Sequence, residues 1–113
     1  MPEINFKEKK FNNPVELSLD IIGGKWKIPI IWRLRDDPKR YGELKRLLPQ
    51  ATHKMLTQQL RELERDEIII RKVYQEIPPK VEYNLTLLGK SVIPIIDLLN
   101  DWGDEYRSVF NKD

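Results

Sequence analysis

The sequence predicts a mainly α-helical protein with one small antiparallel β-hairpin, an α+β class, and three observations support this prediction. Two short helical segments are separated by a tight break at Pro49-Gln50-Ala51. A β-branched segment follows directly, and a Pro-Pro turn divides it from a second strand. A long apolar helical pattern then begins near residue 86. Helix, tight turn, helix and hairpin in this order predict a winged helix-turn-helix, whose second helix fits the DNA major groove.

Two helices are predicted before this motif. The first runs from Pro14 to Ile22, since proline suits the first turn of a helix and Gly23-Gly24 ends it. The second runs from Lys25 to Arg35, with Pro29 near its first turn, where a missing N–H is tolerable. Asp36-Asp37-Pro38 closes the second helix.

The helix-turn-helix is predicted over about residues 40–66 and the wing over about 68–85. Leu44, Leu47 and Leu48 form the apolar face of its first helix, and Thr52 is a suitable N-cap for the second helix, which runs to about Arg65. The wing strands are expected over 68–74 and 81–85, around the turn Ile77-Pro78-Pro79-Lys80.

The second helix has two chemically distinct faces. At about 100° per residue, Leu56, Leu60 and Leu63 point one way and must be buried. The opposite face mixes cations with a hydroxyl and an amide: Lys54, Thr57, Gln58, Arg61 and Arg65. Such side chains pair with base edges and phosphates. Thr52 and His53, at the helix start, complete the predicted DNA-reading set; a surface helix of any protein could carry these residues, but its neighbours favour a recognition helix.

Charge is concentrated in the same region. The whole chain carries only +2, which by itself does not indicate a nucleic-acid partner. Residues 39–80, however, hold ten Lys/Arg against six Asp/Glu, while the remainder holds ten against twelve. Cations around the first helix and on the hairpin, with Lys80 expected opposite Arg71 and Lys72, are the predicted backbone and wing contacts: Arg40, Lys45, Arg46, Arg71, Lys72 and Lys80.

Composition excludes several other functions. With 113 residues and 40% apolar content, one domain over 1–113 is expected. The sequence has no cysteine, so it offers no disulfide, thiolate metal site or thiol sensor. One histidine, His53, cannot build a His-rich metal site, and its favoured role is an exposed helix-start residue near phosphate. No nucleotide-binding glycine motif occurs, so neither an enzyme nor a cofactor is expected.

Membrane insertion and export are not expected either. No apolar run is long enough to span a bilayer, and the mostly polar segment Met1 to Lys10 does not resemble a signal peptide. The sequence therefore predicts a cytoplasmic protein.

The C-terminal segment predicts dimerisation. Thr86 can cap a long helix to about Phe110, kinked but not ended by Pro94. Its apolar residues alternate spacings of four and three in a heptad-like seam: Leu88, Val92, Ile95, Leu99, Trp102 and Tyr106. A small domain has little interior left for so broad a face, so a two-fold dimer is expected. The predicted interface comprises Val15, Leu19, Ile95, Leu99, Trp102 and Tyr106; the alternative is a helix that folds back into the core.

Five motifs together resemble the HxlR-type family of bacterial winged-helix regulators, from about residue 12 to residue 103. The motifs are Asn13-Pro14-Val15-Glu16, Gly23-Gly24-Lys25-Trp26-Lys27, Arg40-Tyr41-Gly42-Glu43-Leu44, Lys54-Met55-Leu56-Thr57-Gln58-Gln59-Leu60-Arg61-Glu62-Leu63-Glu64 and Pro78-Pro79-Lys80-Val81-Glu82-Tyr83. The resemblance implies a homodimeric transcription regulator that dimerises through its N- and C-terminal helices and contacts an operator with the recognition helix and wing.

Three positions depart from the family pattern. The family's sensing cysteine immediately precedes the Pro-Val-Glu motif, where this chain has Asn13, so thiol sensing does not carry over. Glu67 stands where a turn glycine is usual, and His53 stands where a small polar residue is more common.

Alternatives to DNA binding stay open at this point. The polar helix face could dock a protein partner instead of double-stranded DNA, and a small enzyme is the third reading, although no catalytic constellation supports it. A small aromatic or apolar effector between the C-terminal helix and the winged domain is compatible with the sequence, but no polar constellation marks a pocket.

Overall fold

A computed structural model describes residues 3–110; residues 1–2 and 111–113 of the predicted domain lie outside the described residues. The described helices are α1 (Pro14–Ile22), α2 (Lys27–Arg33), α3 (Tyr41–Leu47), α4 (His53–Arg65), α5 (Leu87–Lys90) and α6 (Ile93–Phe110). The strands are β1 (Ile4–Phe6), β2 (Lys9–Phe11), β3 (Ile69–Tyr74) and β4 (Lys80–Leu85). The predicted mainly helical α+β class is confirmed, with two small antiparallel sheets. No helix of this part of the chain has the length and apolar character needed to cross a membrane.

The helix-turn-helix consists of α3 and α4, and both begin as local chemistry dictates. Glu43 Oε1 accepts a hydrogen bond from the Arg40 backbone N–H at 2.9 Å, which satisfies a donor that would otherwise be free at the start of α3. The Thr52 hydroxyl accepts one from the Met55 N–H at 3.1 Å. Thr52 is therefore the N-cap of α4, as the sequence predicted.

The wing is the two-stranded sheet of β3 and β4. Its register places Ile69 opposite Leu85 at the base and Tyr74 opposite Lys80 near the tip. The α2–α3 connection adds one bridge, because Lys39 and Tyr83 exchange backbone hydrogen bonds of 3.0 and 2.8 Å. This bridge fixes the wing beside the helix-turn-helix.

One apolar core joins these elements. Leu56, Leu60 and Leu63 of α4 are at most 2% exposed, so the predicted leucine face is confirmed. They pack with buried residues of the other elements: Ile22, Ile30, Ile31, Leu34, Leu44, Leu48, Ala51, Ile68, Ile69, Leu85, Val92 and Ile96. Helix α2 is shorter than the predicted 25–35, beginning at Lys27 and ending at Arg33.

The single long C-terminal helix predicted over 86–110 is wrong. Thr86 does cap a helix, since its hydroxyl accepts from the Gly89 N–H at 2.9 Å, but α5 ends at Lys90 and α6 begins at Ile93. Pro94 is thus the second residue of a new helix, where its missing N–H is not needed, and not a kink. Val92, expected in the dimer seam, is 7% exposed and belongs to the core.

An N-terminal hairpin of β1 and β2 was not predicted. Its two turn residues, Lys7 and Glu8, have φ of 54° and 60°. Glycine or asparagine usually occupies such left-handed turn positions, so the turn carries no recognisable sequence signal. Phe11, at the end of β2, is buried, and both strands of the hairpin contact α1.

The junction between α4, the wing and α5 is tightly constrained. Glu67, at φ 61°, adopts the left-handed conformation that explains the family's usual glycine. The Thr86 hydroxyl lies 2.7 Å from the Glu67 carbonyl oxygen, and the Thr86 N–H donates to the Ile68 carbonyl at 3.1 Å. A Cβ on Gly89 would lie 2.2 Å from the same carbonyl oxygen, so only glycine permits this approach.

Replacing this glycine tests the junction. Gly89→Ala is expected to lower the free energy of unfolding by about 1–3 kcal/mol, because backbone must move to admit the methyl group. Gly103→Ala in α6 is the matched control, since no atom lies within 4 Å of its added Cβ; it should raise helix stability by roughly 0.5–1 kcal/mol. Urea unfolding followed by circular dichroism measures both, and equal effects of the two substitutions would contradict the tight junction.

Candidate nucleic-acid interface

The polar face of α4 is a continuous surface opposite its buried leucines. Lys54, Gln58, Arg61 and Arg65 are exposed, and Thr57 is half-buried. With His53 and Glu62 they line an open depression of about 710 Å³. The structure therefore brings together the polar face that the sequence assigned to DNA; contact with DNA itself stays a prediction.

His53, the first residue of α4, is exposed but not free to rotate. Its Nδ1 lies 2.7 Å from the Tyr41 hydroxyl, and the two rings stack with centroids 5.7 Å apart. Tyr41 begins α3, so this contact ties the two helices together at the interface. Nε2 of His53 is the ring nitrogen left to address a ligand. Within residues 3–110 no three His, Cys, Asp or Glu side chains gather closely enough to hold a metal ion.

An ion pair between a buried lysine and a half-buried glutamate supports the polar face from behind, and the sequence analysis did not identify it. Lys27 of α2 is 5% exposed, and its Nζ donates to Glu62 Oε1 at 2.9 Å. This hydrogen bond is the main reason why the pKa of Glu62 lies below its ordinary value, although burial acts in the opposite direction. The only sequence signal was the acidic Glu62, next to Arg61 on a face otherwise made of cationic, hydroxyl and amide side chains.

The predicted backbone cations around α3 differ in availability. Arg40 and Arg46 are exposed. Lys45 is half-buried, and its Nζ donates to the Pro49 carbonyl at 3.2 Å. Lys45 thus also closes the end of α3, a role that suits a cation near a helix C-terminus.

In the wing, Lys80 lies opposite Tyr74, so its predicted place opposite Arg71 and Lys72 is wrong. The loop between the paired residues Tyr74 and Lys80 spans residues 75–79, whereas the sequence predicted a turn over 77–80. Nζ of Lys72 and of Lys80 lie 4.8 and 4.9 Å from the Tyr74 ring centroid, and Lys80 also pairs with Glu82 at 3.5 Å. Arg71 is exposed and, by strand alternation, lies on the other face of the sheet.

The residues predicted to form a dimer interface are exposed in the isolated chain. On α1, Val15 and Leu19 are 66% and 64% exposed. On α6 the exposed set is Ile95, Leu99, Trp102 and Tyr106, joined by Leu98, Val109 and Phe110. Ring centroids lie 5.4 Å apart for Trp102–Tyr106 and 4.9 Å apart for Tyr106–Phe110. These residues form an aromatic row along the far half of α6.

An apolar groove of about 260 Å³ lies between the N-terminal hairpin, α1 and the α5–α6 junction. Phe6, Leu17, Ile21, Leu88 and Ile95 are among its lining residues. Phe6, Leu88 and Ile95 are also exposed apolar residues, so the groove joins the apolar surface of the hairpin to that of α6.

Sequence comparison places the chain among transcription regulators. A family model described as HxlR-like helix-turn-helix matches residues 21–110. YdeP, an uncharacterized HTH-type transcriptional regulator of Bacillus subtilis, is 52% identical over 99 residues, 88% of this chain and 77% of YdeP. YtcD, another such regulator of this organism, is 55% identical over 97 residues, 86% of this chain and 77% of YtcD.

Solved structures agree with the sequence matches. The crystal structure of YtcD has a TM-score of 0.80 and covers 83% of this chain and 96% of its own. The redox regulator HypR in its reduced form has a TM-score of 0.83 at 46% identity and covers 89% of this chain and 100% of its own. The predicted winged-helix fold is thereby confirmed.

Removing Glu62 from the Lys27–Glu62 ion pair should destabilise the fold more than removing Lys27. Glu62→Ala is expected to lower the free energy of unfolding at neutral pH by about 1–3 kcal/mol, because it leaves the Lys27 ammonium buried without its partner. Lys27→Met should cost less, since an apolar chain of similar length replaces the charge.

The pH dependence follows from the lowered pKa of Glu62. Its stabilising contribution is complete above the ordinary value of 4.5 and is lost as the pH falls through the lowered value. Urea unfolding at neutral pH and near pH 3 should therefore show the difference between wild type and Glu62→Gln shrinking in acid. Glu64→Gln, an exposed control on the same helix, should show no such change, and a larger loss for Lys27→Met than for Glu62→Ala would count against the asymmetry.

Proposed function

We propose a function for this chain, which belongs to the HxlR-like helix-turn-helix family. The protein acts as a transcription regulator that binds a pseudo-palindromic operator as a homodimer, with α4 in the major groove and the wing against the backbone or minor groove. Action on chromosomal DNA would place it in the cytoplasm. The observation that carries this proposal is the exposed polar face of α4, held outward by the buried leucines.

The chemistry of that face suits duplex DNA better than a protein surface. Arg61 and Lys54 can address guanine O6 and N7, and Gln58 can address adenine N6 and N7. Thr57 can reach either a base or a thymine methyl group. Arg40, the N-cap of the adjacent helix α3, and Arg46 within α3 are exposed cations that can contact the phosphates flanking the groove.

The dimer is supported by shape and by exposed apolar surface. The radius of gyration is 16.2 Å, whereas a compact domain of this length has about 13 Å. Trp102, Tyr106 and Phe110 are 64%, 55% and 72% exposed on the far half of α6, and apolar surface of this extent marks an interaction site. A second copy is the simplest partner, because two-fold symmetry would place two α4 helices about 34 Å apart on one operator.

This regulator does not sense its signal through a cysteine thiol. HypR is a redox regulator by name, but this sequence contains no cysteine. Asn13, at the position of the family's sensing residue, instead accepts a hydrogen bond from the Glu16 N–H at 3.0 Å. The side chain that would carry redox chemistry is here a helix N-cap.

Salt dependence separates DNA binding from docking of a protein partner. Binding to the DNA upstream of the protein's own gene, measured by fluorescence anisotropy, should weaken steeply as salt rises, because phosphate contacts release counterions. Binding that is absent, or independent of salt, would instead favour the interaction-module alternative.

Arg61 is expected to read a base. Arg61→Ala should weaken operator binding and relax preference at one base pair by about 1–3 kcal/mol, the range for a bidentate guanine contact. Arg107→Ala is the control, an exposed arginine on α6 outside the α4 depression. Selection from randomised DNA followed by sequencing gives the preference, and an unchanged preference with intact fold would remove Arg61 from the DNA-reading set.

Trp102 is expected to hold the dimer. Trp102→Ala, or Leu99→Glu, should dissociate the dimer and abolish operator binding, because a single half-site contact is weak and truncating a buried aromatic costs about 3–5 kcal/mol. Asp97→Ala is the control, since helical spacing places it on the opposite side of α6. Sedimentation at micromolar concentration measures the assembly, and a monomeric wild type would refute the proposed dimer.

A further inference from the structure

The residue that ends the recognition helix carries a buried carboxylate shared by two cations. Asp66 is the C-cap of α4, and its side chain is 1% exposed. Lys7 Nζ lies 2.5 Å from Asp66 Oδ1, and Arg65 Nε lies 3.5 Å from the same oxygen. A carboxylate at the negative end of a helix dipole is unfavourable, so Asp66 depends on these cations.

Lys7 reaches Asp66 from a constrained position. It occupies the turn of the β1–β2 hairpin at φ 54°, a left-handed conformation that side chains other than glycine rarely adopt. Its ammonium also lies 3.5 Å from Asp20 of α1. This φ belongs to the two-residue turn that Lys7 forms with Glu8, and the contacts with the two carboxylates fix where the ammonium group lies.

Lys9, in the same hairpin, has a different role. Its Nζ donates to Asp20 at 3.1 Å and is the main reason why the pKa of Asp20 is lowered. No ion pair in the described chain joins Lys9 to Asp66. Lys9 therefore forms an ion pair with Asp20, whereas Lys7 is the hairpin residue that forms an ion pair with Asp66.

Arg65 is bonded to Asp66 along the chain and also belongs to the polar face of α4. Its side chain is 62% exposed and lines the depression of α4. Lys7 Nζ lies closer to the shared oxygen than Arg65 Nε does, so the Lys7 charge weakens the attraction of Asp66 for the guanidinium. If Lys7 were removed, the buried carboxylate would have Arg65 as its nearby cation, and attraction in a poorly solvated site is strong.

We propose that Lys7 is a positioning residue for DNA binding, which keeps Arg65 available to a phosphate by neutralising Asp66. The N-terminal hairpin thereby controls one cation of the recognition surface, although it need not touch DNA itself. This inference rests on the proposed DNA-binding function.

The salt dependence of DNA binding tests the inference. Each phosphate contact contributes about 0.9 to the slope of log affinity against log salt. Lys7→Met and Arg65→Met should each lower the magnitude of the slope by about one contact, and the two together should lower it no further. Lys9→Met removes an equally charged residue of the same hairpin and should leave the slope unchanged.

A rescue variant distinguishes the shared carboxylate from a folding defect. In Lys7→Met/Asp66→Asn no buried charge is left to retain Arg65, so the slope should return to the wild-type value. Adding Arg65→Met to that pair should lower it again by about one contact. This second comparison applies even where Lys7→Met alone does not fold, because the double variant buries no unpaired charge.

The remaining outcomes contradict either the coupling between Lys7 and Arg65 or the proposed DNA binding. Additive losses for Lys7 and Arg65, an equal loss for Lys9→Met, or no recovery in Lys7→Met/Asp66→Asn would overturn the coupling while leaving DNA binding in place. A wild-type protein with no salt-dependent DNA binding would overturn the proposed function, and the inference with it.

Discussion

Burial of the leucine face of α4 is the constraint on which the rest of the structure depends. Leu56, Leu60 and Leu63 are almost fully enclosed, and each such side chain gains about 1.5–3 kcal/mol on leaving water. Because the side chains of a helix keep fixed angles to one another, this burial sets the rotation of α4 about its axis. The direction in which Arg61 points is therefore decided in the core, not at the surface.

Much of the fold follows from local signals in the sequence. Pro14 and Gly23-Gly24 bound α1 as predicted, and Thr52 and Thr86 cap helices where the sequence placed them. The break between α5 and α6 was not predicted, because apolar periodicity indicates which side chains are buried but does not show whether the helix is continuous. Val92 keeps the period and is buried, yet it lies between two helices.

Interactions between distant parts of the chain could not be predicted in the same way. The polar face of α4 follows from a single helical period, but the contact of Lys27 with Glu62 joins residues 35 positions apart. The turn at Lys7 carries no glycine or asparagine, so neither the hairpin nor its contact with Asp66 had a local signal. Periodicity identifies which side chains are exposed, whereas only tertiary structure shows which charges are held by partners.

Polar side chains held by partners from other elements give the recognition surface its particular organisation. Tyr41 holds His53 at the start of α4, Lys27 holds Glu62 in its third turn, and Lys7 meets Asp66 at its end. Each partner comes from a different element: α3, α2 and the N-terminal hairpin. The leucines fix the rotation of α4, and these polar contacts fix individual side chains along it, so that each of the three elements supports a different part of the surface.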